Sequence, residues 1–210
     1  MNNEILLNEY FEQLSSSSPT PGGGNVSALC GGLASALGEM VCNLTIGKKK
    51  YLEFENDLIG YKEKLIDYKN QFLDLADADN EAFNKVMAAF KLPKETDEQK
   101  SVKNKAIEEA TIGAVEVPFK VINLALKTVD FLESVSVKGN KNSISDVGVA
   151  VLLIQTAAKG AYLNVIINCS SLKGNVYTDK IASDAAKIVE MIEKTTNKIF
   201  ENIKNGLING

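Results

Sequence analysis

Residues 58–89 read LIGYKEKLIDYKNQFLDLADADNEAFNKVMAA. Within them Leu58, Tyr61, Leu65, Tyr68, Phe72, Leu75, Asp79, Ala82, Val86 and Ala89 follow one another by alternating steps of three and four. That spacing puts all ten on one side of a long α-helix. Nine of the ten suit a core, and the tenth is a carboxylate. A solvated stripe carries many charges and a core stripe none, so a single acid in an apolar seam is either costly to bury or useful. Asp77, two residues away, falls on nearly the opposite face. The stripe therefore singles out Asp79 as the inward-pointing acid of the pair.

Working outward, the helix is expected to run from about Leu52 to Lys91 and to stop before Pro93. Thr96-Asp97-Glu98-Gln99 then fits a capping box that starts the next helix, which Pro118 should kink without ending. A short amphipathic helix from about Ile5 to Leu14, with Leu7, Phe11 and Leu14 facing inward, precedes Ser15-Ser16-Ser17-Ser18-Pro19-Thr20-Pro21-Gly22-Gly23-Gly24, a run that resists helix. At the other end, Ile181, Ala185, Ile188, Ile192, Ile199, Ile203 and Leu207 outline a last amphipathic helix.

Two stretches are nearly free of charge. Residues 25–47 carry only Glu39, and residues 147–172 only Lys159. Runs of this length raise the possibility of membrane spans. Gly31, Gly32, Gly38, Ser27, Ser35 and Asn43 in the first, with Ala157, Ala158, Gly160 and Ala161 in the second, make them slim more than greasy. That composition suits central helices which others approach closely. Ser143 or Ser145 is available to cap the second. No stretch alternates with period two between hairpin turns, no repeat recurs and no linker divides the chain. The expectation is an all-α, single-domain helical bundle of about six helices over residues 1–210, with two small-residue central helices.

The composition is that of a globular domain: 210 residues, 45% hydrophobic, 24% charged, net charge −4. An acidic chain with scattered lysines argues against nucleic acid as a partner. There is no histidine, which excludes Ser-His-Asp and Cys-His nucleophiles and His-based zinc sites within the chain. Proton transfer falls to Asp, Glu, Lys, Tyr, Cys or water. Cys30, Cys42 and Cys169 are odd in number and far apart, so no metal site is expected and reduced thiols in the cytoplasm are. The start, Met1-Asn2-Asn3-Glu4, lacks the basic and apolar regions of a secretion signal.

Four features can carry chemistry, each with a plainer alternative. Pro21-Gly22-Gly23-Gly24 opens into the first central helix, where glycine amides and the helix dipole favour an anion; a flexible connection is the equal alternative. Asp79 is the second, with a buried acid paired to a lysine or capping a neighbouring helix as the competing account. Third, Ser145-Asp146 begins the second central helix, and Asp146, Ala150, Leu153, Ala157, Gly160 and Asn164 share one face of it, with Asn168 beyond. An acid there also complements the helix dipole without further role. Last, Lys48-Lys49-Lys50 closes the first central helix, either as a solvated end or as an acceptor for a polycarboxylate.

Taken in order, several segments resemble the cyclodeaminase and cyclohydrolase family of folate enzymes. They are Pro19-Thr20-Pro21-Gly22-Gly23-Gly24, Thr45-Ile46-Gly47-Lys48-Lys49-Lys50-Tyr51, Asp77-Ala78-Asp79-Asn80-Glu81-Ala82-Phe83 and Lys91-Leu92-Pro93. Gly139-Asn140, Ser145-Asp146 and Gly160-Ala161-Tyr162-Leu163-Asn164-Val165 with Asn168 complete the set. Where this family has Ser after the three glycines the chain has Asn25, which caps helices equally well.

The resemblance implies a homodimer acting on tetrahydrofolate derivatives, mono- or polyglutamylated, without a tightly bound cofactor, metal or membrane. It also implies a site near the subunit interface and an acid of the segment from Asp77 to Asp79 as proton carrier. On this reading Asp79 is the catalytic acid or base, with Asp77 and Asp146 the other acids of the site. Asn140, Ser145, Asn164 and Asn168 would help hold substrate with Asn25. Pro21, Gly22, Gly23, Gly24, Lys48 and Lys49 would receive the glutamate tail. Cyclisation of 5-formimidoyltetrahydrofolate with loss of ammonia is the first expectation and hydrolysis of 5,10-methenyltetrahydrofolate to 10-formyltetrahydrofolate the second. A helical interaction module without catalysis is the alternative from another class.

Overall fold

The computed structural model describes residues 6–209, and among them every regular element is helical. In chain order these are α1 (Leu7–Leu14), α2 (Gly23–Asn43), α3 (Glu55–Phe90), α4 (Asp97–Lys138), α5 (Ile144–Ser170) and α6 (Val176–Asn209). Short 3-10 turns, Lys49–Phe54 and Lys141–Ser143, lead into α3 and α5. The helix expected from Leu52 therefore begins as a 3-10 turn and becomes α-helical at Glu55. Ile5, placed by its periodicity in the first helix, lies outside the described residues.

The seam of α3 packs as its spacing requires. Leu58, Leu65 and Phe72 are fully buried and Ala82 and Ala89 nearly so, each large side chain contributing about 1.5–3 kcal/mol of transfer free energy. Their counterparts are the glycines of α2. A β-carbon at Gly31 would run into the Phe72 ring, and one at Gly38 would stand 2.8 Å from Leu132 and 3.0 Å from Leu65. The small residues of α2 are thus the recesses that receive the bulk of α3 and α4. Tyr61 and Tyr68 turn toward α4 and meet Phe131 edge-on, at ring distances of 5.8 and 5.6 Å.

Thr96 caps α4 through the reciprocal bonds of the expected box: its side chain accepts from Gln99 N–H, and the Gln99 side chain accepts from Thr96 N–H. The helix then runs unbroken through buried Pro118. Ser143 occupies the position before α5 but does not cap it; its hydroxyl donates to the Asn140 carbonyl, and Ser145 is exposed. α5 has no side-chain cap; Asn140 instead caps the 3-10 turn before it, its side-chain oxygen accepting from Asn142 N–H.

α2 and α5 lie side by side in opposite directions. At one end buried Asn140 donates its main-chain N–H to Thr45 Oγ1 at 2.9 Å and its amide to the Leu44 carbonyl at 3.1 Å. One turn in from the other end, Gly160 leaves room for Ser27. At the other end Gly23 comes within van der Waals range of the Asn164 amide. α4 closes one side of this layer by packing on α3, α5 and α6.

The opposite side of the two central helices is open. Leu33 and Met40 on α2, Leu44 just past its end, and Val149, Leu152, Leu163 and Ile167 on α5 are exposed, so the central helices are buried on one side only. Two other expectations of burial also fail. No residue of α1 is buried, with Leu7 and Phe11 more than half exposed, because an eight-residue helix rests on the rim of α2 and α3 without entering the core. Leu207, at the far end of α6, is exposed as well.

Candidate active site

The amino end of α2 is the focus. Gly22 precedes the helix in an extended conformation, so the first amides, those of Gly23, Gly24 and Asn25, have no carbonyl within the helix to satisfy them. Asp79 of α3 fills part of that need: its carboxylate sits where a side chain at Gly24 would otherwise project, and the Asn25 main-chain N–H donates to it. Burial pushes the Asp79 carboxyl above the usual carboxylate range, and the Asn25 hydrogen bond pulls part of that shift back. No lysine pairs with it among the described residues. The acid is half-buried, joined to a neighbouring helix end, and closer to neutrality than an exposed Asp. Such a group keeps its proton to higher pH than an exposed Asp would, which suits it to proton transfer.

Asn25 organises the surroundings. The residue is 4% exposed; its amide donates to the Ala76 carbonyl on α3 at 2.8 Å, and its side-chain oxygen accepts from Tyr10 Oη on α1 at 2.8 Å. One residue thus ties α1, α2 and α3 together and holds Asp79 from its main chain. Beside it lies a groove of about 480 Å³ between α1, α2 and α3, walled by Leu29, Leu33, Leu73 and Phe11 and edged by Asp77 and Asn80. Pro21 and Val26 line it too. Asp77 therefore looks into a cavity, whereas its helical position had placed it on nearly the opposite face from the seam. The reason is α1, which covers that side of α3 and converts a surface into a groove.

The residues singled out in the sequence fall into two groups. Pro21, Gly22, Gly23, Gly24, Asn25, Asp77, Asp79 and Asn164 gather at the amino end of α2. Asn168 is one turn further along α5 from Asn164 and donates to the Ala114 carbonyl of α4 at 2.7 Å. Lys48, Lys49, Asn140, Ser145 and Asp146 gather at the other end, around Thr45 and the Tyr51 hydroxyl, which accepts from Lys141 N–H. Asp146 and Asn164, though on one face of α5, are eighteen residues apart, roughly 27 Å of helix. A single chain does not bring these groups together. Tyr10 and Asn80 had not been singled out. Asn80 was legible as the next residue on α3, one step round from Asp79, but nothing local marks Tyr10 as the partner of Asn25.

A half-buried acid held against a glycine-rich helix start is an arrangement able to move a proton in a chain that has no histidine. The chain belongs to the formiminotransferase-cyclodeaminase family, whose sequence model matches residues 6–187. It is 38% identical over 199 residues to the methenyltetrahydrofolate cyclohydrolase of Methylorubrum extorquens, covering 95% of this chain and 96% of that one. It is 30% identical over 177 residues to the formimidoyltransferase-cyclodeaminase of Rattus norvegicus, of which it spans only 33%. The crystal structure of formiminotetrahydrofolate cyclodeaminase from Thermotoga maritima superposes with a TM-score of 0.81 at 29% identity, over 95% of this chain and 98% of that one.

Proposed function

We propose that this protein is a methenyltetrahydrofolate cyclohydrolase, hydrolysing 5,10-methenyltetrahydrofolate to 10-formyltetrahydrofolate. This reverses the order of the two reactions expected from the sequence. The observation that carries it is the end-to-end match to the Methylorubrum extorquens cyclohydrolase, against a match to only a third of each formimidoyltransferase-cyclodeaminase. Cyclodeamination of 5-formimidoyltetrahydrofolate is the second reading, favoured by the likeness to the Thermotoga maritima enzyme over its full length.

The chemistry asks for one well-placed acid. Asp79, ionised, accepts a proton from water as the water oxygen adds to the cationic methenyl carbon. The bond from that carbon to N5 then breaks, N5 takes its electron pair and the proton from Asp79, and the hydroxyl becomes the formyl carbonyl as it releases its own proton. The carboxylate also stabilises the amidinium cation of the substrate across a partly dehydrated contact.

The assembly proposed is a homodimer. The open apolar side of α2 and α5 is the surface a second copy would cover, and two such layers packed in opposite directions would bring the Asp146 and Lys48 end of one chain toward the Asp79 end of its partner. Incubating the purified protein separately with 5,10-methenyltetrahydrofolate and 5-formimidoyltetrahydrofolate tests the reaction. Rapid loss of methenyl absorbance with the first, and no ammonia from the second, is expected; ammonia release with a stable methenyl product would overturn the assignment.

A further inference from the structure

We infer that the groove between α1, α2 and α3 receives the 2-amino-4-oxopyrimidine edge of the pterin, read by Asp77 and Asn80 as hydrogen-bond acceptors. The inference deepens the folate reading and rests on it. The groove walls are apolar and partly aromatic, with Leu29, Leu33, Leu73 and Phe11 around a space of about 480 Å³, a size that suits a small flat ligand. No basic residue lines it, so a glutamate tail would find no cation there and would face the charge of Asp77.

The polar groups at its edge want donors. An ionised Asp77 can only accept, and no salt bridge or hydrogen bond engages it among the described residues. Asn80 Oδ1 is buried with no partner, and a buried unmatched oxygen costs about 1–3 kcal/mol. No hydrogen bond among the described residues holds the other end of that amide either, and Asn80 lines the groove. The third candidate, Asn25 Oδ1, is already engaged by Tyr10.

Free acceptors on α3, with the unengaged Gln13 amide of α1 also in the lining, suit a planar ring with several N–H donors on one edge. The reduced pterin offers its 2-amino group and N3–H side by side, the pair a carboxylate accepts through both oxygens. The aminobenzoate ring offers no such pair. Asn25 forms part of the groove wall while its main-chain N–H holds Asp79, so a ring seated there is one residue removed from the catalytic acid.

Calorimetric titration with two fragments that carry no one-carbon unit, 6-methylpterin and p-aminobenzoylglutamate, tests this. The wild-type protein should bind 6-methylpterin. D77N should weaken that binding at least tenfold and leave p-aminobenzoylglutamate within twofold. Phe11→Ala, at an exposed position that tolerates truncation, should weaken 6-methylpterin several-fold and serves if D77N does not fold. Failure of the wild-type protein to bind 6-methylpterin, or equal affinity in D77N or Phe11→Ala, overturns the assignment. Turnover of methenyltetrahydrofolate is scored separately: a protein that turns over folate with pterin binding untouched by both variants refutes the groove alone, and one that binds the pterin through Asp77 but acts on neither folate refutes the reaction alone.

Discussion

Gly24 and Asp79 are fitted to one another: the volume a β-carbon would take at position 24 is filled by the Asp79 carboxylate. The glycine is therefore required by its neighbour on another helix and not by its own backbone, since none of the three glycines of this run has a positive φ. Gly24→Ala should push the carboxylate off the amino end of α2 and lower kcat by about 10²-fold or more, the scale of a displaced general acid-base group. Steady-state turnover, with circular dichroism to verify the helices, checks it; wild-type kcat in a folded variant would break the link between this contact and the chemistry.

Asp79→Asn should lose about 10²- to 10⁴-fold in turnover while unfolding at a higher temperature than wild type at neutral pH. The sign follows from burial, which raises the Asp79 carboxyl in the folded chain. A raised acid contributes its full stability below the unfolded carboxylate range, and that contribution is lost as pH climbs through the folded value. The advantage of the Asn variant should thus be absent in strong acid, grow through and just above the ordinary carboxylate range, and level off beyond it. Thermal melts across that window measure it, and a variant less stable than wild type at neutral pH would contradict the burial penalty.

Gly31→Ala probes the recess beneath Phe72. Its methyl would collide with a fully buried ring, and overpacking of that kind costs about 1–3 kcal/mol. Urea unfolding should show a lower midpoint with an unchanged slope, whereas Gly113→Ala, at a helical glycine with open space around it, should be neutral or stabilising.

Mixing two inactive variants examines the division of the site between chains. If Asp79 of one protomer works with Asp146 of the other, Asp79→Asn and Asp146→Asn proteins exchanged together should recover about a quarter of wild-type activity, because half the dimers are mixed and each holds one intact site. No recovery after exchange, shown by mass spectrometry of the mixed dimer, would confine the site to one chain.

Much of this was written in local pattern. The steps of three and four through residues 58–89 correctly turned Leu58, Leu65, Phe72 and Ala82 inward and brought Asp79 with them, since helical phase is a property of one segment and needs no partner. The Thr96 capping box is local for the same reason. Small-residue composition marked α2 and α5 as helices of close approach, and Gly31, Gly38 and Gly160 are the points of contact.

What the sequence could not supply was which segments meet. Asp77 became a groove residue only because α1 folds back over α3 and Asn25 anchors it through Tyr10, a pairing fifteen residues apart with no periodic signature. Asp146 and Asn164 share a helical face yet stand eighteen residues apart along α5, and because α2 runs antiparallel beside it, Asn164 meets the glycine end of α2 while Asp146 meets the lysine end. Phase around an axis is set by the order of residues in one helix, while position along the axis acquires meaning only once another helix lies beside it, and that choice belongs to the packing of the whole chain.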